Sequence, residues 1–244
     1  MRKQHLLLSI LMILVLGCYK EEEYTPLAIE PEDVIKSILT TKMSLIANNI
    51  DTMMVTAVLP EEARTGLDIV LFTSRGVFVA NGTNTITVKS KAVERHDSIL
   101  VIGEAVLRNG LSVGPIRIDA SVNDYLRSIE RNSVQNPATR ISLSTAALAL
   151  SNNPTAEVEV TATISTAGGT VSQGQLVQVS AISSTGAPIG TFRVRPSFAD
   201  GTGQARYIYS LVPDSTYTGA FRIIASTSGL TQTFQDTITL YAID

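Results

Sequence analysis

The chain repeats itself, and that constrains its fold more than any other feature. Leu39-Thr40-Thr41 is echoed by Leu143-Ser144-Thr145 and Asn48-Asn49 by Asn152-Asn153, both 104 residues later. Val55-Thr56-Ala57 returns as Val160-Thr161-Ala162, and Arg117-Ile118-Asp119-Ala120-Ser121 as Arg222-Ile223-Ile224-Ala225-Ser226, both at 105. Gly103-Glu104-Ala105 pairs with Gly203-Gln204-Ala205 at 100, which implies a difference in loop length. Single matches of this size arise by chance; five in one order at nearly one spacing mark two copies of a module. The copies join near Arg131 to Pro137. A length of 244 residues suits two domains of about a hundred residues each.

Within a copy the apolar residues alternate with period two, as in Met53 to Leu59, Glu157 to Ile164 and part of Phe221 to Thr227. Turn pairs interrupt them: Asn81-Gly82, Asn109-Gly110, Gly168-Gly169 and Asp200-Gly201. Val34, Ile35, Ile38 and Leu39 fit one helical turn, but Ile38 and Leu39 have repeat partners in a strand pattern and are read as the first strand. About seven short strands per hundred residues predicts an all-β chain of two tandem antiparallel sandwiches of immunoglobulin type.

Leu67-Asp68-Ile69-Val70-Leu71-Phe72-Thr73-Ser74-Arg75-Gly76-Val77-Phe78 resembles a strand and turn of the bacterial Ig-like modules of invasin and intimin (Big-1-like domains). Asp200-Gly201-Thr202-Gly203-Gln204-Ala205 is similar to their aspartate-x-x-glycine-x-alanine turn, and Gly219 to Ala225 to their penultimate strand. The resemblance covers residues 34 to 244. The second copy departs from it at Leu176 to Ala181, where phenylalanine is usual. These motifs mark turns and core positions, so what they imply is a fold.

The N-terminus carries an address. Arg2 and Lys3 precede an apolar run from Leu6 to Leu16, interrupted only by Ser9. Eleven residues are too few to span a bilayer, which needs about 20, and the shape is that of a secretory signal. The run ends at Val15-Leu16-Gly17-Cys18, similar to a bacterial lipobox, which implies acylation of Cys18, the chain's one cysteine. Two or three acyl chains anchor stably where one does not. Lys20-Glu21-Glu22 resembles the export signal of Bacteroidota surface lipoproteins, and it also reads as a solvated acidic spacer. With Pro26 and Pro31 the segment is an extended tether. The expected organisation is a signal peptide at 1–17, a lipidated acidic tether at 18–33, and Ig-like domains at 34–131 and 132–244.

Composition removes most chemistry. Lys plus Arg is 19 against 22 Asp plus Glu, a formal net charge of −3, so no basic stripe is available to replace counterions on a nucleic acid. One cysteine permits neither an intrachain disulfide nor a thiolate metal cluster. Past the signal the only histidine is His96. His96-Asp97-Ser98 contains the residue types of a hydrolytic triad, but neighbours in a strand face opposite ways. Glu157 and Glu159 share one face of a strand as a glycosidase pair would, yet Val158 and Val160 on the other face make theirs the solvent side. Asp200 with Asp214, or Glu61 with Glu62, could contribute to a calcium site, but no loop has the dense Asp and Asn of a calcium loop. Tyr207, Tyr209 and Tyr217 read as a glycan-stacking patch or as core. Arg193, Arg195 and Arg206 read as an anion site or as a solvated edge that discourages strand addition.

No catalytic residue, metal or small-molecule cofactor is expected. Asp51-Thr52, Asp97-Ser98, Asp214-Ser215 and Asp236-Thr237 resemble the O-glycosylation sequon of Bacteroidota envelope proteins, which implies modification at Thr52, Ser98, Ser215 and Thr237. They are equally natural turn-to-strand dipeptides. The expected function is a non-enzymatic lipoprotein of the outer membrane, displayed at the cell surface as a stalk or an adhesion module toward a protein or glycan partner. The alternative is a periplasm-facing accessory subunit of an envelope complex.

Overall fold

Period-two sequence becomes period-two burial. Val158 to Ser165 alternates buried with exposed or half-buried positions along its length, and Gln178 to Ser183 does the same. The computed structural model describes residues 31–95, 98–214 and 216–244. Among these residues a helical turn, α1 (Pro31–Val34), precedes eighteen strands. The chain is all-β, as expected.

The first half holds β1 (Ser37–Thr40), β2 (Ser44–Ala47), β3 (Thr52–Leu59), β4 (Asp68–Thr73), β5 (Val77–Phe78), β6 (Thr85–Lys89), β7 (Lys91–Arg95), β8 (Ser98–Arg108), β9 (Gly114–Val122) and β10 (Tyr125–Gln135). One sheet runs β1-β3-β8-β5, with β7 also on β8, and the other β2-β10-β9-β4-β6. Between them Leu45, Val55, Ile69, Phe78, Leu107 and Ile118 are fully buried.

The second half holds β11 (Arg140–Thr145), β12 (Ala149–Ser151), β13 (Val158–Ser165), β14 (Gln178–Ser183), β15 (Thr191–Val194), β16 (Gln204–Ser210), β17 (Gly219–Ser228) and β18 (Thr233–Ile243). Its sheets run β11-β13-β16-β15 and β12-β18-β17-β14. Its core is more aromatic: Phe192 meets Tyr207 and Tyr209 at ring distances of 5.9 and 5.1 Å, and Tyr209 stacks on Phe221 at 5.4 Å. Burying each such large side chain contributes roughly 1.5–3 kcal/mol.

Both halves split the opening strand in the same way. β1 pairs antiparallel with β3, then the chain crosses the sandwich and β2 runs parallel to β10. β11 pairs antiparallel with β13, and β12 runs parallel to β18. The split, together with the short β5 and β7, is why the halves carry ten and eight strands where about seven each were expected.

Register corrects the alignment of the copies. Thr40 faces Val55 and Thr145 faces Val160, so β1 maps onto β11 at 105, and Leu39 corresponds to Ser144 rather than to Leu143. Both of those positions are exposed, whereas Ile38 is buried and its counterpart Leu143 packs against the core. Asn48 likewise corresponds to Asn153: each carboxamide oxygen accepts from the N–H two residues on, at Ile50 (3.1 Å) and Thr155 (2.9 Å). Ala57 faces Gly103 while Ala162 faces Ala205, so Gly103 maps onto Ala205 at 102, not onto Gly203.

Candidate interaction surfaces

The aspartate-glycine turn at 200–205 is architecture. The Asp200 carboxylate accepts from the Thr202 N–H (2.8 Å), the Thr202 hydroxyl (2.7 Å) and the Gln204 N–H (3.0 Å). Those bonds, led by the Thr202 hydroxyl, hold its carboxyl below the usual carboxylate range. Gly203 sits at φ +81°, where an added Cβ would come within 2.7 Å of the Ile164 carbonyl oxygen.

Several of the other candidates for chemistry have structural partners of their own. Glu157 and Glu159 are exposed on either side of buried Val158, and Glu157 pairs with Arg193 at 3.0 Å. The Arg195 guanidinium donates to the Val179 carbonyl at 3.0 Å, blunting the free edge of β14. Arg206 reaches only Gln204, at 3.5 Å. Asp214 accepts from the Gly190 N–H at 2.8 Å and so stands apart from the Asp200 turn. Glu61 and Glu62 line an open cleft with Asp33, Lys36 and Pro60. Among the described residues no three His, Cys, Asp or Glu side chains converge on a possible metal position, and no helix is long and apolar enough to cross a membrane.

Tyr207 and Tyr209 are fully buried, so they offer no platform to a sugar. Burial pushes the Tyr207 phenol up to about 12, and it raises Tyr209 as well. Tyr209 donates to the Ile189 carbonyl at 2.9 Å, and half-buried Tyr217 to the Ala220 carbonyl at 2.6 Å.

Of the four hydroxyls in sequon-like positions, Ser98 opens β8 and Thr237 lies mid-β18, both exposed, while Thr52 is half-buried at the start of β3. Three of the neighbouring aspartates serve the backbone: Asp51 accepts from Ile46 (2.8 Å) and Thr52 (3.0 Å), Asp214 from Gly190 (2.8 Å), and Asp236 from Leu143 (2.7 Å). Ser215, His96, Asp97, Cys18, Lys20, Glu21 and Glu22 lie outside the described residues.

Sequence reasoning missed a cluster of buried polar residues where the two sandwiches meet. The connection between β13 and β14 lies against the end of the first sandwich. Thr170 N–H donates to the Asn48 carbonyl (3.2 Å) and Gln173 N–H to that of Leu111 (2.9 Å). The Ser172 hydroxyl donates to the Ala47 carbonyl (2.9 Å), and the Gln135 amide donates to the Gln175 carboxamide oxygen (2.7 Å). Asn136, the residue after β10, donates from its side chain to the carbonyls of Gly168 and Thr170, both at 2.9 Å. Asn48, Asn136, Ser172 and Gln175 are all buried. No local signal marked them: amides and hydroxyls in loops are ordinarily solvated, and most of their partners are far away in sequence.

The registers place three loops of the second sandwich at the end opposite the junction. These are the segment between β12 and β13, the segment between β14 and β15, and the segment between β16 and β17. They carry Asn153, Thr155, Thr185, Val212 and Thr216 at the surface and little charge. From Asn132 onward the chain has five Arg, no Lys and six acids, and this end, with Glu157 and Asp214, is a sparsely charged surface of hydroxyls, amides and some apolar groups.

No protein-family profile and no curated protein matches the chain. Solved structures do. The Yersinia pseudotuberculosis adhesin InvE is similar at a TM-score of 0.54 and 13% identity, over 85% of this chain and 58% of that one. The crystal structure of invasin, described as a bacterial integrin-binding protein, gives 0.61 at 14% identity, over 84% of this chain and 38% of that one. The chain thus spans little more than half of the first and under half of the second, and at these identities the likeness is one of fold. The described chain has the tandem Ig-like β-sandwich fold of invasin-type adhesins.

Proposed function

We propose that the protein is a non-enzymatic, lipid-anchored envelope protein that presents two Ig-like modules outside the outer membrane, as a stalk or an adhesion module. The observation that carries this reading is the fold: a paired sandwich similar to an adhesin and to an integrin-binding protein. Asp200, Asp214 and Glu157 are taken up by a turn, a backbone bond and an ion pair, and Tyr207 and Tyr209 by the core. Recognition then falls to the loops of the second module opposite the junction, held by a rigid scaffold. The partner is a protein or a glycan of the extracellular milieu; neither a nucleic acid nor a small-molecule cofactor is involved. Cys18 carries the lipid, and Lys20, Glu21 and Glu22 direct export. Exposed Ser98 and Thr237 are the best placed of the four candidate O-glycosylation residues.

Metabolic labelling with a fatty acid tests the anchor. Label should enter the native protein and be absent from Cys18→Ala, which should leave the membrane fraction. Label retained by Cys18→Ala would overturn the assignment of the anchor.

A further inference from the structure

The two copies of the module build the same connection differently. In the first module the connection between β3 and β4, Pro60 to Leu67, is satisfied within that module. Gly66 N–H donates to the Ser90 carbonyl (2.8 Å), Leu67 N–H donates to the Ser90 hydroxyl (2.9 Å), and that hydroxyl donates to the Arg64 carbonyl (3.0 Å). In the second module the corresponding connection, residues 166–177, finds many of its partners outside its own sandwich: Asn48, Ala47 and Leu111 in the first module, and Asn136 in the connector. Ser172 binds in both directions, accepting from the Asn136 N–H (2.6 Å) and donating to the Ala47 carbonyl (2.9 Å). Gly169 packs so closely that an added Cβ would lie 2.6 Å from the Asn48 carbonyl oxygen. The receiving surface is itself braced. Buried Asn109 donates to the Ser133 hydroxyl (2.7 Å), which donates to the Ser112 carbonyl (2.8 Å) beside Leu111.

We infer that the first module completes the fold of the second: residues 166–177 are a latch, pinned at Ser172, that makes the two sandwiches one cooperative unit rather than two beads on a linker. The physical reason is that the segment takes its order from the joint: separating the modules exchanges the bonds of the Thr170 and Gln173 amides and the Ser172 hydroxyl for water, and little within its own sandwich then holds 168–173 in place. The device goes beyond the proposed function and holds on either face of the outer membrane.

Residue-resolved hydrogen exchange on the full chain along a urea series is the test. In the native protein the Thr170 and Gln173 amides, which donate across the joint, should exchange in the same opening event as the core strands of both modules. Ser172→Ala removes the pin and Gly169→Ala wedges the joint. Each should accelerate exchange across 168–175 by roughly tenfold or more and separate the modules into two unfolding events. Ser90→Ala removes a comparable hydroxyl inside the first module and should lower stability without separating them. Two exchange classes in the native protein, or separation by Ser90→Ala as readily as by Ser172→Ala, would overturn the inference. Should the variants fail to fold, the native measurement alone still decides it.

Discussion

Tyr207 and Tyr209 enter the same core from one strand, yet only the Tyr209 hydroxyl is bonded; no protein group meets that of Tyr207. Tyr209→Phe should therefore cost about 1 kcal/mol in chemical denaturation, whereas Tyr207→Phe should be neutral or stabilising, because it deletes a buried hydroxyl that gains nothing. Both phenols are raised by burial, Tyr207 to about 12, so the folded chain stays neutral where the unfolded chain ionises. Stability from this source is complete below pH about 10 and is lost as pH rises toward the folded values, and tyrosinate absorbance should appear together with unfolding. Asp51 works at the acid end. Partial burial raises its carboxyl, but the Lys42 ammonium and the Ile46 and Thr52 N–H groups outweigh that and hold it below 3.8. Its contribution is present above the unfolded value and lost as pH falls through the folded one, so Asp51→Asn should flatten the acid limb of a stability–pH curve. Parity made the tyrosines partly legible in the sequence: Tyr207 and Tyr209 fall in step with Ala205 and Leu211, and all four are buried. Which hydroxyl finds a partner depends on Ile189, twenty residues away, and no local pattern shows that.

At the scale of elements, the strands follow from alternation and the pairing does not. Identity matches in a sequence rich in Ser, Thr, Ala and Asn slide by one or two residues at little apparent loss, as Leu39 with Leu143 and Gly103 with Gly203 did. A slip of one residue exchanges the core and solvent faces of a strand, so burial forbids what a comparison of letters allows. The faces predict opposite responses on adjacent strands. Ile223 is fully buried on β17, and Ile223→Ala should cost about 2–5 kcal/mol. Thr237 lies exposed on β18, and Thr237→Ala should stay within about 0.5 kcal/mol of the native protein by urea denaturation. Equal costs at the two positions would mean the register of this sheet is wrong.

At the scale of the whole molecule, the duplication and the turn residues made the tandem arrangement readable, but the latch between the copies was not. Asn48, Asn136 and the Ser172 to Gln175 stretch lie far apart along the chain, and each alone looks like an ordinary loop segment. The address of the protein rests on the opposite kind of information, the short local pattern from Arg2 to Glu22, which needs no tertiary contact to be read. Display outside the outer membrane is tested by protease shaving of intact cells. The native protein is compared with a variant carrying Lys20→Ala, Glu21→Ala and Glu22→Ala, and lysed cells establish that the protease cuts both. Native protein cleaved on intact cells and a protected variant are the predicted result. Protection of both, with outer-membrane integrity confirmed, would contradict the claim and place the modules in the periplasm.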